Sequence, residues 1–211
     1  MIYISTYFQR RKRIIDQVLA LDHAGFKNIE LTGGTDFYED LVDDLSELKK
    51  EKNLNYKLHN YFPPPKEHFV FNLASIDKKV SELSLEHAKR AIDLSRFFGS
   101  QEIGFHAGFF IHISANELGK NITKRELYDE DESIDKFVDQ LNLLNLFAGE
   151  DFKIYIENNV VSKRNKDQFP DRNPSMLTNY SDFSKLKKKI DFHLLLDIAH
   201  LKVSCKSLNL D

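Results

Sequence analysis

The chain has 211 residues, 41% hydrophobic and 30% charged, with a formal net charge of -3 at pH 7. That length fits one domain with a substantial core. No apolar run reaches the roughly 18 residues of a membrane span, and the mildly acidic balance argues against a dedicated nucleic-acid binder, whose affinity rests on basic side chains facing phosphates. A single cysteine, Cys205, excludes an internal disulfide framework and fits a reducing cytoplasm.

Along the chain, short β-type runs alternate with longer helical patterns. Ile2 to Ser5 reads as a strand, and Arg10 to Ala24 as an amphipathic helix with Ile14, Ile15, Val18, Leu19 and Leu21 inward. Apolar residues precede the basic cluster Arg10-Arg11-Lys12-Arg13, the reverse of a secretory signal, so a cytoplasmic location is expected. Gly25 stops the helix. Lys27 to Leu31 is the second strand, broken by Gly33-Gly34, and Tyr38 to Lys50 the second helix. Leu54 to His59 is the third strand, ended by Pro63-Pro64-Pro65. A long helix over about Asp77 to Phe98 follows, with Val80, Leu83, Leu85, Ala88, Ile92 and Leu94 apolar. Glu102 to His106 is the fourth strand, Ser133 to Ala148 the fourth helix and Lys153 to Glu157 the fifth strand. Asp182 to Lys189 is a short helix and Phe192 to Asp197 the sixth strand.

Strand and helix in alternation make a parallel sheet with helical crossovers, as an open doubly wound sheet or a (β/α) barrel. Two features favour the barrel. The glycine fingerprint of a dinucleotide fold is missing after the first strand, where Thr6-Tyr7-Phe8-Gln9 stands. Polar residues also end many successive strands, as where a barrel assembles its site at the C-terminal face. The two long connections, Ala107 to Glu132 and Asn158 to Ser181, lie on that face and read as lids or as mobile surface loops.

Four strand ends carry groups able to hold a metal or move a proton: His59, His106, Glu157, and Asp197 with His200 three residues on. One such end is ordinarily a cap on the sheet; four point to a shared site. A carboxylate ending an apolar strand, as Glu157 does, is costly to bury without a partner. On the other reading Asp197 caps the next helix, His200 packs on it, and His59 and His106 are satisfied core histidines. Glu30 is a weaker candidate. His23, His68, His87, His112 and His193 read as structural or exposed, the Lys185 to Lys189 and Arg10 to Arg13 clusters as solvated helix faces, and Cys205 as buried.

These strand ends resemble the xylose isomerase-like TIM-barrel superfamily, which holds sugar isomerases and epimerases together with endonuclease IV-type DNA repair enzymes. Tyr155-Ile156-Glu157-Asn158 is similar to its strand-five segment, which implies Glu157 as metal ligand and acid/base. Leu196-Asp197-Ile198-Ala199-His200 resembles its strand-six Asp-x-x-His, which implies Asp197 as ligand and His200 as substrate contact, or as ligand to a further zinc in the nuclease. Leu58-His59-Asn60 and Phe105-His106-Ala107-Gly108 resemble the strand-three and strand-four histidines, zinc ligands in the nuclease and often substrate contacts in the sugar enzymes. Gly25 to Leu31 is similar to the second strand, whose Glu, here Glu30, sits near the site floor.

In the family a His and a Glu from strands seven and eight complete the metal site. This chain ends at Asp211, a turn or two of helix past strand six, whereas a full barrel has eight strands and about 250 residues. The expectation is one domain over residues 1–211, an incomplete TIM barrel of about six β/α units. It is read as a truncated product, or else as a barrel closed by a partner chain or an inactive relative. Its open edges are an aggregation hazard. The resemblance implies a sugar or sugar-phosphate isomerase or epimerase of carbohydrate metabolism, using a divalent cation (Mn, Zn, Co or Mg). Glu157 would be catalytic; Glu157 and Asp197 would hold the metal; His59, His106 and His200 would bind substrate. No membrane or nucleic-acid partner is expected, and a homo-oligomer is left open. The alternatives are a zinc-dependent endonuclease IV-like enzyme acting at abasic sites and a catalytically inactive barrel.

Overall fold

The computed structural model describes residues 1–8, 13–117 and 120–209. Six strands form one parallel sheet: β1 (Ile4–Ser5), β2 (Asn28–Leu31), β3 (Asn55–His59), β4 (Glu102–His106), β5 (Lys153–Glu157) and β6 (His193–Leu195), hydrogen-bonded in sequence order. The helices are α1 (Ile14–His23), α2 (Leu41–Lys52), α3 (Lys78–Phe97), α4 (Glu130–Ala148), α5 (Lys163–Gln168), α6 (Tyr180–Lys189) and α7 (Ile198–Leu208). None of the described helices is long and apolar enough to cross a membrane. Most of the basic cluster near the N-terminus, with the expected start of the first helix, lies outside the described residues.

Local chemistry sets the helix ends. Asp77 accepts a hydrogen bond from the Val80 amide at the start of α3, and Asp129 one from Glu132 at the start of α4. Glu130, Asp131 and Glu132 fill the first turn of α4, where the helix dipole favours negative charge. This cap starts α4 a turn before the apolar pattern does. Asn53 ends α2 in the left-handed conformation (φ 52°).

Each strand has two unlike faces. Ile29, Leu31, Tyr56, Leu58, Ile103, Phe105, Ile154 and Ile156 are buried in one cluster with the apolar stripes of α1, α2, α3, α4 and α6. Helices gathered against a single face make a barrel wall; a doubly wound sheet would carry them on both. The opposite face is polar. The registers Glu30↔Lys57 and Glu102↔Lys153, with Lys57 ion-paired to Glu102, lay a row of alternating charge across β2 to β5. A complete barrel fills this space with branched apolar layers; here the Lys57 and Glu102 side chains stay about one-third exposed. β1 and β6 each pair on one side among the described residues, and Ile2, Leu194, Leu196 and Ile198 are exposed along those edges.

The two long connections pack on each other. Ile111, Ile113 and Ile122 from the first bury against Phe169 from the second and Val70, making a second, smaller core. The Phe110 amide donates to Pro174 and the Met176 amide to Gly108. Within the first connection the Glu117 carboxylate gathers the Thr123 hydroxyl, the Ser114 and Thr123 amides and Arg125, which hold it well below the usual carboxylate range. The second connection also contains α5, a helix that its polar sequence does not announce.

Gly108 stands where the first connection leaves the sheet. A Cβ there would lie 2.3 Å from Ala74 Cβ and 2.8 Å from Asn72 Oδ1, the oxygen that accepts from the Ala74 and Phe109 amides. Gly108→Ala is therefore expected to destabilise the chain by about 1–3 kcal/mol through overpacking. A denaturant midpoint equal to wild type would show that this backbone approach is not tight.

His87 on α3 is enclosed by the rings of Tyr61, Phe69 and Phe71, and its Nε2 has no hydrogen-bond partner among the described residues. Burial, helped by Arg90, pushes its pKa down to about 4. The unfolded chain then binds this proton more readily than the folded one. Stability carried by neutral His87 is complete above pH 6.5 and is lost as pH falls toward about 4. The loss amounts to about 3 kcal/mol at the acid end, and His87→Phe should flatten that part of the stability–pH curve. An unchanged acid limb in the variant would refute the assignment.

Candidate active site at the C-terminal strand ends

The registers His59↔Gly104 and His106↔Glu157 bring three strand ends to one level on the polar face of the sheet. Gly104 keeps the space between them open: a Cβ there would meet Leu195 at 2.9 Å and the His59 ring at 3.8 Å. Glu157 is the hub. It is 3% exposed, and its two oxygens face different partners. Oε2 lies 2.6 Å from His59 Nε2 and 3.5 Å from His106 Nδ1; Oε1 lies 3.4 Å from His200 Nδ1. Among the described residues neither Glu157 Oε2 nor His106 Nδ1 has an aligned hydrogen-bond partner, and the short His59 approach to Glu157 is an ion pair.

Asp197 is the N-cap of α7. Its Oδ1 accepts from the His200 amide at 2.8 Å, while Oδ2 remains 3.7 Å from His200 Nδ1. The sixth strand thus stops at Leu195, two residues before the end expected from the apolar run, because Asp197 already begins a helix. Capping and site membership, alternatives in the sequence, are served by the two oxygens of one carboxylate.

Asn158 holds this part together. Its Oδ1 accepts from the Asp197 amide at 2.7 Å, its Nδ2 donates to the Asp197 carbonyl at 3.2 Å, and its own carbonyl lies 2.8 Å from His200 Nδ1. The strand-end pattern does not single Asn158 out; the only signal is an amide directly after the buried carboxylate. Next along, Asn159 Nδ2 donates to the carbonyls of Ala107, Gly108 and Met176, tying both long connections to the end of β5.

The electrostatics are uneven. Burial works against charge on His59, but the carboxylates of Glu157 and Glu30 outweigh it and push its pKa up to about 10. His106 goes the other way, down to about 4: burial and the neighbouring His59 and His200 outweigh the attraction of Glu157. One proton thus sits on His59 between two carboxylates while His106 is neutral. The Asp197 carboxyl lies below its usual value: burial opposes this, but the His200 amide and the His200 ring overcome it.

All five strand-end candidates, His59, His106, Glu157, Asp197 and His200, therefore meet in one place, with Glu30 beside them. Two groups of three could hold a metal ion: His59 with His106 and Glu157, and Glu157 with Asp197 and His200, the ligand atoms of each within 4.8 Å of one another. A divalent cation fits this donor set. It would neutralise the Glu157 and Asp197 carboxylates or, bound within the first group, give partners to the two orphaned buried atoms, in a mixture of imidazole and carboxylate that suits zinc, manganese or cobalt. Of the other histidines, His193 lies against the Tyr155 ring and His68 stacks on Tyr61, both outside this cluster.

A family model described as xylose isomerase-like TIM barrel matches residues 18–204. No curated protein matches by sequence. Among solved structures, a D-tagatose 3-epimerase-like protein aligns with a TM-score of 0.65 at 18% identity, over 93% of this chain and 64% of its own. An L-ribulose 3-epimerase aligns with a TM-score of 0.64 at 15% identity, over 96% and 63%. Endonuclease IV from Thermus thermophilus aligns with a TM-score of 0.53 at 11% identity, over 95% and 63%. The chain thus spans somewhat less than two thirds of the length of these three proteins. At such identities the likeness is one of fold.

Proposed function

Because the chain belongs to the xylose isomerase-like TIM barrel family, we propose that it serves a metal-dependent isomerase or epimerase acting on a small sugar or sugar phosphate. The observation that carries this reading is Glu157: one buried carboxylate shared by two groups of potential ligands. Two of the fold neighbours bear the names of sugar 3-epimerases, which supports a sugar as substrate class.

Glu157 Oε1, Asp197 and His200 would hold the cation, which when bound polarises a sugar carbonyl and its neighbouring hydroxyl. Glu157 would also move the proton at the adjacent carbon, because its second oxygen points away from Asp197 toward His59 and His106. His59 and His106 would hydrogen-bond substrate hydroxyls. The ordered connections anchored by Asn159 would form the wall that keeps bulk water from the carbanionic carbon.

A second reading is favoured by one observation: His59, His106 and Glu157 form a ligand group in their own right. Two or more zinc ions in such a site would activate water against a phosphodiester, as the likeness to endonuclease IV would have it. Elemental analysis of the purified chain, followed by a panel of free and phosphorylated sugars and an abasic-site oligonucleotide, separates the readings. About one equivalent of metal with sugar turnover supports the first. Two or more zinc ions with strand cleavage support the second, and no metal together with no turnover refutes both.

A further inference from the structure

Glu30 has no place in the scheme above, yet it stands behind His59. Its Oε1 lies 3.4 Å from His59 Nδ1, on the opposite side of the ring from Glu157. Its other carboxylate-to-cation opportunities are closed: Lys57, directly across on β3, pairs with Glu102, and among the described residues Glu30 has no ion pair except that with His59. The two ring nitrogens of a histidine are distinct, and the group on one decides what the other offers. A carboxylate at Nδ1 keeps a proton on that atom and turns Nε2 toward the site.

We infer that Glu30 is a positioning residue, which orients the His59 ring through Nδ1 and thereby aims Glu157 at the bound cation. The inference rests on the metal-dependent reading for its consequence and on geometry alone for its mechanism. The links are Glu30 to His59 at 3.4 Å and His59 to Glu157 at 2.6 Å, running from a one-third exposed side chain on β2 to a buried one on β5. In this role Glu30 acts through His59 and belongs to neither group of potential ligands. Sequence alone gives it little weight, because the residue that it orients lies on the next strand.

Two measurements test this on the whole chain. In the metal-free protein, nitrogen-15 NMR should show a protected Nδ1–H on His59 in the wild type and in Glu30→Gln, which keeps an acceptor oxygen. The signal should be lost in Glu30→Ala. Chelator competition with Zn²⁺ and Mn²⁺ should then give about tenfold weaker binding for Glu30→Ala, the size expected of an outer partner of a metal site, with most of that loss recovered in Glu30→Gln. A His59 signal that persists in Glu30→Ala overturns the inference, and so does a lost signal with unchanged affinity. Failure of the wild type to bind either metal sinks the metal-dependent reading instead, while the NMR comparison still decides whether Glu30 orients His59.

Discussion

Replacing Glu157 by Gln is expected to weaken divalent-metal binding by more than about 100-fold. Changes to the outer partners of a metal site cost roughly 10–100-fold, and Glu157 is an inner candidate shared by both ligand groups. The amide is nearly the same size, so the 3%-exposed position stays filled and the effect isolates charge. It removes the anion that faces His59 at 2.6 Å and His200 at 3.4 Å, leaving Asp197 as the carboxylate nearest the cation. Asp197→Asn should weaken binding less, since one of its oxygens is already committed to the His200 amide. Calorimetric titration of wild type, Glu157→Gln and Asp197→Asn with Mn²⁺ and Zn²⁺ provides the check. Equal affinity for wild type and Glu157→Gln would remove Glu157 from the metal site and with it the proposed chemistry.

Metal binding should also be strongly pH-dependent. His59 carries a proton up to about pH 10 because Glu157 and Glu30 flank it. A cation that neutralises Glu157 takes away the charge that retains this proton, so binding near neutral pH should release up to one proton per site. Apparent affinity should then rise by up to about tenfold per pH unit between 6.5 and 10. Titration in two buffers of different ionisation enthalpy counts the proton directly. An affinity that is flat across this range would mean that His59 and the cation do not compete. The metal-free fold carries the matching signature: a histidine pKa raised on folding gives stability that is complete below pH 6.5 and lost as pH rises toward 10, opposite to the acid-side loss expected from His87.

The cluster of candidate residues was legible because most of them follow apolar runs. Ile103 to Phe105 before His106 and Ile154 to Ile156 before Glu157 mark strands by their alternation, and both ends coincide with those in the structure. In a parallel sheet all such ends share one side, so the topology carries the candidates to a common level without any knowledge of side-chain packing. What stayed hidden depended on neighbours remote in sequence. Asn158 is an ordinary polar residue until Asp197 is placed beside it, and Glu30, a weaker candidate in the sequence, gains a partner only when His59 stands next to it. The α5 helix lacks an apolar stripe, and its caps alone do not distinguish it from a loop; Phe169, just after it, becomes core only because Ile111 and Ile122 arrive from the other connection.

By itself, then, the sequence determined the alternation of strand and helix, the ends of strands two to five and the chemical types gathered there, because periodicity and capping are local. Tertiary structure decided which oxygen of Glu157 faces which histidine, that Asp197 both caps α7 and borders the site, and that His59 holds a proton while His106 does not. Charge states of buried groups are set by distances of a few ångströms between residues up to about a hundred positions apart, and those distances exist only once the sheet has formed.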